Sequence, residues 1–132
     1  MRDVSPAATY AALLPDVVKA GRDCGYVIAP HGSMARDFDL IAVPWTDEAT
    51  SAEQLIMRIM SVTGATMREQ GRKREDGEWE TVRGDIATPK PHGRLAWSLY
   101  LGLSGLYLDV SVMPRSVDLK SVTPADTQTS PA

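Results

Sequence analysis

The sequence predicts an α+β fold in which one mixed or antiparallel β-sheet is flanked by two or three helices. Residues 94–112 contain two runs of alternating apolar and polar residues around a glycine-containing turn, which is typical of a β-hairpin. Residues 38–43 form a continuous apolar run, as expected for a central strand that is covered on both faces. Residues 51–62 carry apolar side chains at helical spacing, and Gly64 is suited to end that helix.

The N-terminal segment predicts two consecutive helices. Ser5 and Pro6 have the pattern of a helix start, so a short helix is expected over residues 6–13. Pro15 lacks the N–H group that a helix interior needs, and we therefore expect it to begin a second helix. Gly25 is suited to the left-handed conformation that stops such a helix.

The next elements are two strands and a further helix. Residues 26–29 read as a strand, and their short connection to residues 38–43 predicts that the two strands are adjacent and antiparallel. Thr50 and Glu53 have the spacing of a capping box at the start of the helix over 51–62.

The C-terminal hairpin predicts a register as well as two strands. A four-residue loop places Trp97 opposite Val110 and Ser98 opposite Asp109. One face of the hairpin is then apolar and faces the core, and it comprises Leu95, Trp97, Leu99, Leu101, Leu106, Leu108, Val110 and Val112.

The remaining segments have weaker signals. Residues 65–70 could pair with 78–83 in a weak hairpin, or the stretch could form a mobile loop. The organisation is interpreted as a single domain over residues 1–119. Residues 120–132 are polar and contain prolines, and we expect this tail to be disordered.

Composition narrows the class of protein. The net charge of −3 is too small to favour binding to nucleic acid. No apolar run reaches the roughly 18–20 residues that span a bilayer, so a membrane partner is not expected. A single cysteine, Cys24, cannot form an internal disulfide, and a soluble cytoplasmic protein is therefore expected.

Acidic residues at the start of one strand and within another predict a metal site. Asp37 and Asp39 are two apart, so their side chains leave the same face, and Asp109 lies on the less apolar face of the hairpin. Three carboxylates that converge repel one another unless a cation is present, and oxygen clusters suit Mg²⁺ or Mn²⁺ together with substrate phosphates. Gly32 and Ser33 precede them, and such a turn can offer N–H groups to phosphate.

The Gly-Ser pair, the Asp-x-Asp-Leu at a strand start and the lone aspartate in a later strand resemble the nucleotidyltransferase superfamily, typified by the DNA polymerase β palm. The segments DFDLIAV and LYLDVSV carry most of the resemblance, which covers about residues 12–113. It implies a mixed sheet flanked by helices, a phosphate contact at the Gly-Ser pair and metal ions held by the three aspartates. The implied function is nucleotide binding with divalent metal and transfer of a nucleoside monophosphate.

The chain departs from the family pattern between the Gly-Ser pair and the first aspartate. Only Met34, Ala35 and Arg36 intervene, which leaves little room for the helix that family members place there. The resemblance is therefore to a reduced or divergent member. The sequence HGSMARDFDLIAVPW also resembles small bacterial and phage proteins, a resemblance that implies no activity.

Basic and imidazole side chains near the predicted strand ends complete the candidate site. Arg36, Lys90 and Arg94 are candidates for balancing the charge of a phosphorylated ligand. His31 and His92 both lie at strand ends, where binding residues concentrate. If the two histidines face each other, they could form an acid–base or metal group with Asp39 instead.

Each of these residues also has a purely structural interpretation. Asp37 and Asp39 could pair with Arg36, Asp109 could pair with Ser98 or Arg94, and the Gly-Ser pair could be an ordinary turn.

Trp45 is close to the Asp pair in sequence and could stack on a nucleobase. At the level of function, a non-catalytic nucleotide- or metabolite-binding protein and a homodimeric protein-interaction module remain alternatives.

Overall fold

The computed structural model describes residues 6–68, 70–82 and 87–120, so the predicted tail lies outside the described residues except for Lys120. Along the chain the elements are α1 Pro6–Asp23, β1 Tyr26–His31, β2 Asp37–Pro44, α2 Ala52–Thr63, β3 Gln70–Lys73, β4 Trp79–Val82, β5 Thr88–Pro89, a 3₁₀ turn Pro91–Gly93, β6 Leu95–Tyr100, β7 Tyr107–Val112 and α3 Ser116–Lys120. No helix in these ranges is both long enough and apolar enough to cross a membrane.

Five of the strands form one mixed sheet, which confirms the predicted α+β class. Their order is β1-β2-β7-β6-β5. Strands β2 and β7 are parallel, and the other neighbouring pairs are antiparallel. Strands β3 and β4 form a separate two-stranded hairpin. The parallel pair lies at the centre of the five strands, with residues distant in sequence side by side.

The core lies between the sheet and the two long helices. Alternate residues of β2 point towards α1 and α2 and are fully buried, whereas Asp37, Asp39, Ile41 and Val43 point to the other face and are only partly buried. We call this second side the open face. The buried set on the helix side includes Tyr10, Val17, Ile28, Phe38, Leu40, Leu55, Ile56, Ile59, Trp97, Leu99, Leu108 and Val110.

The N-terminal segment forms one helix, so the predicted break at Pro15 is wrong. Pro15 lies inside α1 with its side chain exposed, and its ring therefore takes no space in the core. Tyr10 and Val17 are fully buried on either side of it. Burial of these side chains outweighs the cost of an interior proline, which is about 3 kcal/mol. Gly25, two residues after the end of the helix, adopts a positive φ of 86°, as predicted.

The capping box of α2 is displaced by one residue from its predicted place. The N–H of Gln54 donates to the Ser51 hydroxyl at 3.2 Å, and the Gln54 side chain accepts from the Ser51 N–H at 3.3 Å. Thr50 is engaged elsewhere, because its N–H donates to the Cys24 carbonyl at 2.9 Å and its carbonyl accepts from the Tyr26 hydroxyl at 2.6 Å. These bonds hold Thr50 against the end of α1 and the start of β1.

The C-terminal hairpin has the predicted register. Trp97 pairs with Val110 and Ser98 with Asp109. The Leu101 N–H donates to the Leu106 carbonyl at 2.9 Å at the end of the ladder. Its predicted apolar face packs into the core, with the outermost leucines partly buried.

The predicted pairing of residues 65–70 with 78–83 is wrong in its first strand. The observed hairpin pairs Gln70–Lys73 with Trp79–Val82. Thr66 instead bridges Tyr100, with backbone N···O distances of 2.7 and 2.9 Å in the two directions. Thr66 pairs with the end of β6 that β5 leaves unpaired, and this pairing with a distant strand cannot be read from local spacing.

Candidate metal and ligand site on the open face

Three aspartates meet on the open face, as the sequence predicts. The parallel register of β2 and β7 places Asp39 directly beside Asp109, and Asp37 lies two residues earlier on the same face. One carboxylate oxygen of each residue lies within 4.8 Å of the others. All three side chains are partly buried. We refer to these three residues as the acidic triad.

Burial and mutual repulsion disfavour the ionised forms of two triad members. The pKa of Asp39 is raised, first by desolvation, then by a side-chain hydrogen bond with Asp37 and by the charges of Asp37 and Asp109. Desolvation also raises the pKa of Asp109, and the charge of Asp37 adds to it. A protein without a bound cation therefore carries an unfavourable concentration of negative charge here.

Basic side chains flank the triad on two sides. His31 lies opposite Asp39 in the β1–β2 ladder, and its charge lowers the pKa of both Asp39 and Asp109. Lys90 and Arg94, around the 3₁₀ turn before β6, also lower the pKa of Asp109. The site thus combines a central acidic cluster with surrounding positive charge, a combination suited to a cation that carries an anionic ligand.

The Gly-Ser pair forms a turn whose backbone lies against the triad. Gly32 has a positive φ of 80°, and a Cβ atom added there would lie 2.8 Å from Asp39 Oδ2. The Ser33 hydroxyl accepts a hydrogen bond from the Ala35 N–H at 3.2 Å. Residues 32–36 contain no helical turn, as the short spacing predicts. A phosphate contact here would come from turn N–H groups rather than from a helix N-terminus.

Gly32→Ala is expected to move the Asp39 carboxylate and to weaken binding of a divalent cation at the triad. The methyl group would clash with Asp39 Oδ2, and alanine disfavours the positive φ. Isothermal titration with Mn²⁺ measures the change, and Gly77→Ala is the matched control, because its φ is also positive and its Cβ would meet no atom within 4 Å. Equal Mn²⁺ affinity of the Gly32 variant and the native protein would contradict the close packing of Asp39 on Gly32.

A buried tyrosine of α1 is hydrogen-bonded to both of the strand ends that carry the triad. The Tyr10 hydroxyl donates to the Arg36 carbonyl at 2.6 Å and accepts from the Tyr107 N–H at 3.3 Å. Its ring stacks on Phe38 with a centroid distance of 4.9 Å. Arg36 precedes the first triad residue, and Tyr107 lies two residues before Asp109. The sequence contains no signal for this role, because an aromatic residue in a helix has the pattern of an ordinary core residue.

Two predicted ligand-binding residues, Arg36 and His92, are not joined to the triad by a hydrogen bond or an ion pair of their side chains. Among the described residues, the side chains of Arg36 and His92 form no hydrogen bond or ion pair, so the interpretation of Asp37 and Asp39 as partners of Arg36 is wrong. His92 lies in the 3₁₀ turn with a positive φ of 68°. Of the alternative group of two histidines with Asp39, the structure places His31 opposite Asp39, and no hydrogen bond joins His92 to either residue.

Two further interpretations fail for geometric reasons, namely the pairing of Asp109 with Arg94 and base stacking by Trp45. The Arg94 guanidinium does not pair with Asp109, but donates to the Pro91 carbonyl at 3.0 Å and to the Ser111 hydroxyl at 3.4 Å. Trp45 lies beyond the opposite end of β2, six residues from Asp39, which is about 20 Å along an extended strand. Trp45 is therefore out of reach of the triad as a stacking platform.

Within the described ranges, the triad is the single group of three or more acidic, histidine or cysteine side chains arranged closely enough to hold a metal ion. Its carboxylate chemistry fits a hard divalent cation such as Mg²⁺ or Mn²⁺.

Comparisons of the chain with protein-family models, with curated proteins and with solved structures gave no match.

Proposed function

We propose that the protein binds a nucleotide, or a closely related phosphorylated ligand, together with Mg²⁺ or Mn²⁺ on the open face, and that it transfers a nucleoside monophosphate. The observation that supports this most is the convergence of Asp37, Asp39 and Asp109 from two parallel strands. The order of the Gly-Ser pair, the Asp-x-Asp pair and the third aspartate, which resembles the nucleotidyltransferase superfamily, supports the transfer reaction.

The triad would supply the protein ligands of the cation. Carboxylate oxygens from Asp37, Asp39 and Asp109 would leave other coordination positions of the cation to ligand and solvent, because the three side chains are only partly buried. A bound divalent cation would neutralise the triad and polarise a phosphoryl group.

Other residues would orient the phosphates. Lys90 and His31 lie close enough to influence the triad electrostatically, and both side chains are exposed. They would balance phosphate charge that the cation leaves uncompensated. The backbone of the Gly32–Ser33 turn, next to Asp39, would supply neutral N–H donors. Transfer would form a bond from an acceptor oxygen to the α-phosphorus and break the bond to pyrophosphate.

Thermal unfolding tests the binding part of the proposal. Nucleoside triphosphates with Mg²⁺ or Mn²⁺ are expected to raise the melting temperature, and each component alone is expected to do less. A ligand at a hundred times its dissociation constant stabilises the folded state by about 2.7 kcal/mol. Asp39→Asn is expected to abolish this stabilisation. Asp47→Asn is its control, because it removes the same charge from an exposed site past the far end of β2.

Release of pyrophosphate tests the transfer part. Pyrophosphate that appears with a metal-bound nucleoside triphosphate and candidate acceptors, and that is lost in Asp39→Asn, supports transfer. Stabilisation without pyrophosphate would leave a nucleotide-binding protein. Absence of any shift with every nucleotide and both cations would overturn the proposed function.

A second candidate function, pairing of two copies, is favoured by the edge of the sheet. Strand β1 is an edge strand of the sheet, and its outer side pairs with no strand of the described ranges. Val27 on this strand is 45% exposed. Open edges of this kind can pair with a second strand. A mass that rises with concentration in light scattering, and that falls when the exposed Val27 is replaced by lysine, would support this homodimer.

A further inference from the structure

Two tyrosines continue the row that begins at the acidic triad. Asp37, Tyr107 and Tyr100 are in register on the neighbouring strands β2, β7 and β6, so their side chains share the open face. Adjacent strands are about 4.8 Å apart. Tyr107 therefore lies about one strand spacing, and Tyr100 about two, from the first carboxylate of the triad.

A guanidinium extends this row of flat side chains. The rings of Tyr100 and Tyr107 have centroids 5.4 Å apart, and Arg68 Cζ lies 4.4 Å from the Tyr100 ring centroid. Arg68 also donates to the Gly102 carbonyl, which holds it against the β6–β7 turn. We call Tyr107, Tyr100 and Arg68 the aromatic strip.

The aromatic strip is held in place by backbone pairing between β6 and a segment outside the β6–β7 hairpin. Thr66 bridges Tyr100 through two backbone hydrogen bonds, and Arg68 follows two residues later on the same side of the chain. Met67, between them, packs against the core. All three members of the strip are partly exposed. The strip is therefore an ordered and accessible row of flat groups that begins next to the triad.

Charge makes the two ends of the open face different. The triad end is suited to a cation with phosphates, whereas the strip presents neutral rings and one planar cation. Planar rings and guanidinium groups stack on nucleobases without strong preference for one base.

We propose that the aromatic strip binds the nucleobase of the ligand whose phosphates are held at the triad. This inference rests on the proposed function, and it specifies the ligand class as nucleoside phosphates rather than phosphorylated metabolites without an aromatic ring. The base lies one to two strand spacings, about 5–10 Å, from the triad. Several bases are accepted, because the contact is made with ring faces.

Calorimetric titration of the full chain with two probes tests the strip. The probes are nucleoside triphosphates and inorganic tripolyphosphate, each with Mg²⁺. Stacking contributes about 1–3 kcal/mol per base, so Tyr107→Leu and Tyr100→Leu are expected to weaken nucleoside triphosphate binding by about 5- to 140-fold. Their affinity for tripolyphosphate is expected to stay unchanged, because this probe has no ring.

Two controls separate stacking from folding. Tyr107→Phe keeps the ring and removes the hydroxyl, and it is expected to retain nucleotide affinity. Leu103→Ala changes a fully exposed residue in the loop of the same hairpin, outside the strip, and is expected to have no effect. Retained affinity in the phenylalanine variant, with loss in the leucine variant, supports a ring contact.

The outcomes distinguish the strip from the proposed function. Equal affinity of the native protein for tripolyphosphate and for nucleoside triphosphates would overturn the strip and leave a phosphate-binding metal site. Equal loss of affinity for both probes in Tyr107→Leu would also overturn it, because the effect would then be on the triad. Failure of both probes to bind the native protein would overturn the proposed function and the strip together.

Discussion

Replacing both Asp39 and Asp109 by asparagine is expected to raise the melting temperature of the metal-free protein at neutral pH. Desolvation and neighbouring charges raise the pKa of both carboxyls in the folded state. A carboxyl whose pKa is raised on folding contributes stability below its unfolded pKa and loses that contribution as pH rises through its folded pKa. At neutral pH the native protein therefore bears a cost that the neutral amides avoid. An asparagine at residue 39 can also donate to Asp37, as the protonated carboxyl does.

The same double variant is expected to lose all stabilisation by Mg²⁺ or Mn²⁺ with nucleotide, since two of the three proposed ligands are removed. The double substitution is thus expected to raise the melting temperature without metal, and to abolish the increase in melting temperature that metal and nucleotide cause. Thermal unfolding in chelator from about pH 4 to about pH 8 measures the first effect as the difference between variant and native protein. Repetition with metal and nucleotide measures the second.

Asp47→Asn is again the control for a simple change in net charge. It is exposed and distant from the triad, so neither effect is expected. A lower melting temperature of the double variant in chelator, at every pH, would show that the carboxylates stabilise the metal-free fold. That result would contradict the electrostatic account of the site.

Tyr10→Phe is expected to destabilise the protein and to weaken cation binding at the same time. Tyr10 is fully buried, and its hydroxyl satisfies both the Arg36 carbonyl and the Tyr107 N–H. Loss of the hydroxyl leaves these groups without that partner, at a cost of about 1–3 kcal/mol. Because these backbone groups precede triad residues on β2 and β7, their relaxation is expected to loosen the geometry of the carboxylates.

Tyr26→Phe provides a matched control for this prediction. Tyr26 is 2% exposed, and its hydroxyl donates to the Thr50 carbonyl at 2.6 Å, at the opposite end of β2 from the triad. We expect a comparable loss of stability in chemical denaturation and an unchanged Mn²⁺ affinity. If both variants weaken Mn²⁺ binding equally, Tyr10 acts through general stability and not through the strand ends.

Elements with strong local signals could be predicted closely from the sequence. The register of the C-terminal hairpin follows from strict alternation and a short turn, and Trp97 and Val110 are paired as predicted. Strand β2 and helix α2 were also predicted, because their apolar patterns suit the faces they bury. Gly64 ends α2 with a φ of 76°, as its type suggests.

Local signals failed where contacts with residues distant in the sequence decided the structure. Pro15 predicts a break, yet the burial of residues on both sides keeps α1 continuous. Two residue pairs fit a capping box before α2, and hydrogen bonds from Thr50 to distant elements decide between them. Such contacts join residues far apart in the chain, and no window of sequence contains them.

Part of the candidate site could likewise be predicted from the sequence, and the rest of it depends on the tertiary structure. The sequence by itself determined which carboxylates leave which face of their strands, because side chains alternate along a strand. Only the tertiary structure decided that β2 and β7 are parallel neighbours in the register that joins Asp39 to Asp109. The tertiary structure also placed Tyr10 against the strand ends that carry the triad, and Arg68 against the ring of Tyr100. The physical reason is that strand order and helix docking depend on how the whole apolar surface is buried, which is a property of the complete chain.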